Sequence, residues 1–118
     1  MRYSTLATRS AGDDTGRMTH IEQLADLVAY DPERRASALA FTAEGVRAVV
    51  LAFSAGQEMT EHQAPAPILL QAVEGELRIT AEGREVVLRP GGILHLDAGI
   101  PHSVAADVDG KLLLCILK

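Results

Sequence analysis

The sequence predicts an all-β domain, an antiparallel sandwich or closed barrel, preceded by one short helix. Two observations carry this. From residue 36 onward the apolar residues recur with a period near two in short segments, the spacing that puts alternate side chains on one face of a strand. Glycine-containing turns separate the segments: Glu44-Gly45, Gly75, Glu82-Gly83, Pro90-Gly91-Gly92, Ala98-Gly99 and Asp109-Gly110. Eight such segments at roughly 8–12-residue intervals are what sandwiches and barrels require. The chain has 118 residues, two Tyr, two Phe and no Trp, so its core must be built from Val, Leu, Ile and Ala. That length suits a single domain with one core.

Residues 1–18 are polar, rich in Ser, Thr, Gly and Asp, and without apolar periodicity, and are expected to form a flexible arm; Met18 also suits a natural start. Residues 19–118 form the domain. Thr19 stands three residues before Glu22, the spacing of a capping box, and Ile21, Leu24, Ala25 and Val28 follow at helical intervals. A helix over about 20–29 is therefore expected, stopped by Pro32. The strands then fall at 36–42, 46–53, 68–74, 76–80, 84–89, 93–96, 102–106 and 111–117. Leu77 and Ile79 share one face of their segment, as Val86 and Leu88 do of theirs, and Asp109-Gly110 is a strong hairpin signal. Ala64-Pro65-Ala66-Pro67 removes two backbone donors, which suits a loop or strand edge.

Composition excludes several functions. Sixteen acidic residues against eleven basic ones give a net charge of −5, with no Lys/Arg cluster to attract polyphosphate, so no nucleic-acid partner is expected. No apolar run approaches ~18 residues, so no membrane partner is expected either. The first 17 residues lack the apolar block of a secretory signal, and the lone Cys115 has no disulfide partner. Both fit a cytoplasmic protein, with Cys115 a buried, inert thiol. The apolar run Leu112–Leu117 is covered on both faces, one by the core and one by a partner subunit that hides a strand edge, so a homodimer is expected.

Two stretches carry potential chemistry. The first is Gly56-Gln-Glu-Met-Thr-Glu-His62-Gln-Ala64-Pro-Ala-Pro-Ile68, running on to Gly75; the second is Gly91-Gly-Ile-Leu-His95-Leu-Asp97-Ala-Gly99-Ile-Pro101-His102. Together they resemble the two motifs of the cupin superfamily, small barrels of jelly-roll (double-stranded β-helix, RmlC-like) type. The first motif reads G-x5-H-x-H-x3-E-x6-G, and Gly56, His62 and Gly75 match it. The second reads G-x5-P-x-G-x2-H-x3-N, and Gly91, Gly99 and His102 match. The resemblance spans residues 36–118. In metal-bearing cupins three His and one Glu of these motifs surround one ion. Here the second His position is Ala64, the Glu position is Ile68, the Pro position is Asp97 and the Asn position is Ala106.

Three readings follow. In the first, the barrel binds a small organic molecule without redox chemistry. Ala64, Ile68, Leu70 and Ala72 supply an apolar lining, and His62 and His102 act as polar anchors. An imidazole titrates near ~6.5 in water, so the pair also suits acid–base chemistry. In the second, His62 and His102 hold a weakly bound Fe, Mn, Ni or Zn ion in a dioxygenase, isomerase or lyase. A transition metal normally takes three or four donors, so a third must come from elsewhere. His95 and Gln71 are weak candidates, although strand alternation puts Gln71 on the face opposite Ile68 and Leu70. Glu58 and Glu61 fall in an expected loop over the mouth, and His20 is expected in solvent. In the third, the barrel is filled by its own side chains and serves as a structural or interaction module.

Overall fold

A computed structural model describes residues 17–118, so the arm expected over residues 1–18 lies outside the described residues except for Arg17 and Met18. Nine strands are present among those residues: β1 (Ala36–Ala43), β2 (Val46–Phe53), β3 (Glu58–His62), β4 (Ile68–Gly75), β5 (Leu77–Ala81), β6 (Arg84–Leu88), β7 (Leu94–Leu96), β8 (His102–Ala105) and β9 (Gly110–Leu117). They pair antiparallel into a five-stranded sheet, ordered β1-β2-β9-β4-β7, and a four-stranded sheet, ordered β3-β8-β5-β6. This is the jelly-roll arrangement that the alternating sequence pattern requires.

The two sheets face each other across one core. Leu51 and Phe53 of β2, Ile68, Leu70 and Ala72 of β4, and Leu112 of β9 meet Leu77 and Ile79 of β5 and Val104 of β8. Apolar residues two apart along each strand point inward, as alternation dictates. Register divides this core into two ends. At one, Phe53 lies opposite Gly110, and Gly110 opposite Gly75, next to Leu77. At the other, Ala81 lies opposite His102 and His102 opposite His62 in one sheet, and Leu96 opposite Ile68 and Ile68 opposite Ile116 in the other. The edges of the two sheets leave two seams, β1 against β3 and β7 against β6.

Two glycine features shape the fold. The chain leaves β4 for the opposite sheet at Gly75, whose φ is +62° and where a Cβ would lie 2.1 Å from the Asp109 carbonyl oxygen. Only glycine fits both demands. The β5–β6 hairpin closes on Glu82-Gly83, with φ of 53° and 71° at the two residues. Two positive φ values define the turn whose twist matches that of the flanking strands.

The structure corrects three expectations. Residues 20–29 are not a regular helix: one 3-10 turn, Leu24–Leu27, is present, and Gln23 precedes it without a side-chain cap. A ten-residue helix is marginal by itself, and this segment is instead laid against the outer face of the five-stranded sheet. Ile21, Leu24, Leu27 and Val28 pack there on Ala40, Ala48 and Val50, beside Leu113 and Cys115. The segment is fastened by Lys111, whose Nζ donates to the Ala25 carbonyl at 2.6 Å and sits 4.8 Å from the centre of the Tyr30 ring. Tyr30 in turn donates its hydroxyl to Glu74 at 2.5 Å.

The second correction concerns β9, which is central, between β2 and β4, and not an edge. The outer face of its apolar run packs with residues 21–28 of its own chain, so the run gives no reason of its own for a partner subunit. The third is β3, expected as a loop. Its sequence, Glu-Met-Thr-Glu-His, is polar and largely exposed because it is the edge of its sheet. Among the described residues no helix is long and apolar enough to cross a membrane. Cys115 is half-buried, and burial pushes its thiol upward, away from the reactive thiolate.

Candidate functional site

The site is built at the end of the sandwich where β3, β8 and β5 carry His62, His102 and Ala81 side by side. A register irregularity between Met59 and His62 lets His62 fall opposite His102 while Met59 stays opposite Val104. Such a bulge on an edge strand re-aims one side chain without disturbing the rest. The two rings make contact, with centroids 4.3 Å apart and planes tilted by 56°. His102 is 3 % exposed, whereas His62 is exposed at the sheet edge.

Both imidazoles are oriented in the same way. Nδ1 of His62 lies 3.0 Å from the Thr60 carbonyl, and Nδ1 of His102 lies 3.0 Å from the Ile100 carbonyl. A carbonyl oxygen only accepts, so each Nδ1 carries the proton, and in the neutral ring each Nε2 keeps its lone pair. Neither Nε2 has a hydrogen-bond partner among the described residues. For His102 this leaves a buried acceptor unpaired, at a cost of about 1–3 kcal/mol. The two motif segments are tied together beside the rings by Gly99, whose amide donates to the Ala64 carbonyl at 2.8 Å.

A cleft of about 420 Å3 opens along the β6–β7 seam. Its wall is apolar, from Ile79, Ala81, Leu94, Leu96 and Ile100, and its rim carries Glu82, Arg84, His95 and Asp97. The imidazoles themselves do not line it. It is lined by two neighbours of His102: Ala81, its register partner, and Ile100, whose carbonyl lies against its Nδ1. A volume of this size suits a small organic molecule.

The other residues singled out in the sequence separate clearly. Ala64 packs half-buried on the core near the rings. Ile68 and Leu70 are 2 % and 1 % exposed and belong to the closed core, so they do not line the cleft as expected of a ligand pocket. Gln71 lies opposite Leu113, on the outer face, because the irregularity of β4 comes later, between Ala72 and Glu74. His95 lies opposite Leu69, also outward, and its Nε2 is 3.6 Å from Asp97. Neither is able to complete a shell around His62 and His102, which corrects both as third donors. Sequence reasoning missed Ala81 and Ile100. Hairpin register places the first, and the second stands two residues before His102, as Thr60 stands two before His62.

A sandwich of this topology, with two histidines paired at one end, is that of the jelly-roll barrels. The Cupin domain family matches residues 49–117, and the chain belongs to it. Among solved structures, a cupin superfamily protein from Desulfitobacterium hafniense is 23 % identical with a TM-score of 0.74, over 80 % of this chain and 86 % of that one. An RmlC-like cupin from Desulfovibrio desulfuricans is 27 % identical with a TM-score of 0.74, over 85 % and 96 %. The DMSP lyase DddQ from Ruegeria pomeroyi is 25 % identical with a TM-score of 0.66, over 72 % of this chain but 47 % of that one. Comparison with curated proteins finds no match.

The residues present supply two of the four ligands in the metal site that the resemblance implies, His62 and His102. Among the described residues no group of three His, Cys, Asp or Glu side chains converges. Two imidazoles fall short of the three or four donors that a protein normally gives a transition metal.

Proposed function

We propose that this cupin binds a small neutral molecule with an apolar body and a hydroxyl or N–H donor. The donor group is taken by Nε2 of the His62/His102 pair, and the body lies along Ile79, Ala81 and Ile100 in the β6–β7 cleft. The observation that carries this is the buried, unpaired Nε2 of His102, fixed as an acceptor by its Nδ1 bond to Ile100. A site of two acceptors selects for a donor, because an ether or carboxylate of similar shape leaves lone pair against lone pair.

The test is titration of isotope-labelled protein with phenol and with anisole, its methyl ether, followed through the backbone amides of Ala81, Ile100 and His102. Phenol is expected to move these signals saturably and anisole to bind at least about tenfold more weakly, which is one hydrogen bond's worth. Equal binding of the two, or no movement of these amides with either, overturns the reading.

A second reading, a metal-dependent enzyme, has one specific observation in its favour, since the same two Nε2 lone pairs are what an ion takes. Likeness to a lyase adds to it. Metal analysis of protein purified without chelator separates the two. Stoichiometric Fe, Mn, Ni or Zn that disappears in His62→Ala supports the enzyme, and metal-free protein that still binds phenol supports the donor-binding site.

A further inference from the structure

The second seam of the sandwich, β1 against β3, holds a cleft of about 550 Å3, which meets β3 at Glu58 and Met59, three residues or more before His62. Its floor is apolar: Leu51 of the core and Met59, which packs on it. Two consecutive arginines, Arg34 and Arg35, line the same cleft.

The turn that carries them is held in place from below. Asp31 accepts the Glu33 amide on its side chain at 2.8 Å, and its carbonyl accepts both Ser54 Oγ at 3.1 Å and Gln57 Nε2 at 2.8 Å. Gln57 is locked in turn by accepting the Ser54 amide at 2.8 Å. Arg35 reaches across the seam and donates to the Glu58 carbonyl at 3.2 Å, a neutral acceptor.

The charges of this pair are not spent inside the fold. Arg34 has no hydrogen bond or ion pair among the described residues, and Arg35 has none to a carboxylate. Arg78, in contrast, is paired with Asp107 and Glu85, and Arg89 with Glu76. In a chain of net charge −5, two arginines without carboxylate partners, one of them held across the seam, beside Leu51 and the half-buried Met59 are a specific arrangement. Glu58 is the one carboxylate lining the cleft, so the two arginines outweigh it by a single positive charge.

We infer that the β1–β3 cleft is a second binding site, for a small amphipathic carboxylate. The carboxylate lies on the Arg34/Arg35 forks, which match it in geometry, and a short apolar chain covers Leu51 and Met59. The site is independent of the histidine pair, which presents acceptors and selects the opposite kind of ligand.

The experiment is an amide-shift titration of the full-length isotope-labelled protein with sodium hexanoate, sodium acetate and 1-hexanol. Hexanoate is expected to move the amides of residues 34–37 and 57–59 saturably. Acetate, without the chain, and hexanol, without the charge, are each expected to bind at least about tenfold more weakly. Arg34→Gln, which breaks no contact within the fold, should weaken hexanoate several-fold, Glu58→Gln should strengthen it, and His62→Ala should leave it unchanged. Hexanoate that produces no saturable shift at these residues, that binds no better than hexanol, or that is indifferent to Arg34→Gln overturns the proposal.

Discussion

The two ends of the sandwich are made of the same strands and behave differently. At the closed end Phe53, Leu77, Leu112 and Val104 are 0–1 % exposed, and Gly75 and Gly110 bring backbones so near that no side chain fits between them. At the open end Ile68 stays buried, but its neighbours Ala81 of β5 and Ile116 of β9 are only half-buried, and two inward positions carry His102 and His62. One end stabilises the fold, and the other leaves a buried acceptor unpaired at a stability cost. That cost is what the proposed ligand would offset by donating to Nε2.

Substitutions break or sharpen this contrast. The largest effects are expected at the closed end. Leu112→Ala removes a fully buried side chain and should cost about 2–5 kcal/mol in urea unfolding. Gly75→Ala, with its +62° φ and a Cβ 2.1 Å from a carbonyl oxygen, should cost at least about 2 kcal/mol. Ile116→Ala, on the same strand at the half-buried open end, should cost less than Leu112→Ala. If the two alanine variants are equally destabilised, the division into ends is wrong.

A smaller effect is expected where the segment before β1 is fastened to the sheet. Burial and the adjacent Glu74 carboxylate, to which its hydroxyl donates, raise the Tyr30 pKa well above the ordinary tyrosine value. A group whose pKa is higher folded than unfolded contributes stability that is fully present below the unfolded value and is lost as pH rises above it. Stability should therefore decline with pH above about 10, and Tyr30→Phe should flatten that decline. An unchanged alkaline profile in the variant would remove Tyr30 from the explanation.

The sequence made the hairpin and the strands with a buried face more legible than the sheet edge. Alternation identified Leu77 and Ile79 and Val86 and Leu88, and Glu82-Gly83 fixed their hairpin, because buried strands and tight turns leave strong local signals. The edge strand β3 left none, since a polar, exposed strand at a sheet edge reads as a loop. Ile21, Leu24 and Val28 correctly announced a buried face, but period alone does not separate a helix from a segment docked by packing. Whether His62 and His102 meet, while His95 and Gln71 face outward, depends on register across strands forty residues apart in the chain, where one bulge changes the answer. The motif glycines and histidines pointed to the pairing; only the fold places Ile100 and Thr60 as the acceptors that set both rings.

That orientation is the central claim, and long-range nitrogen–proton NMR of the imidazole rings tests it most directly. At a pH of about 8.5, where an ordinary imidazole is neutral, both His62 and His102 should show the proton on Nδ1 and an unprotonated Nε2, while exposed His95 serves as the internal comparison. A proton on Nε2 of His102, or rapid averaging between its two nitrogens, would contradict the presented-acceptor site.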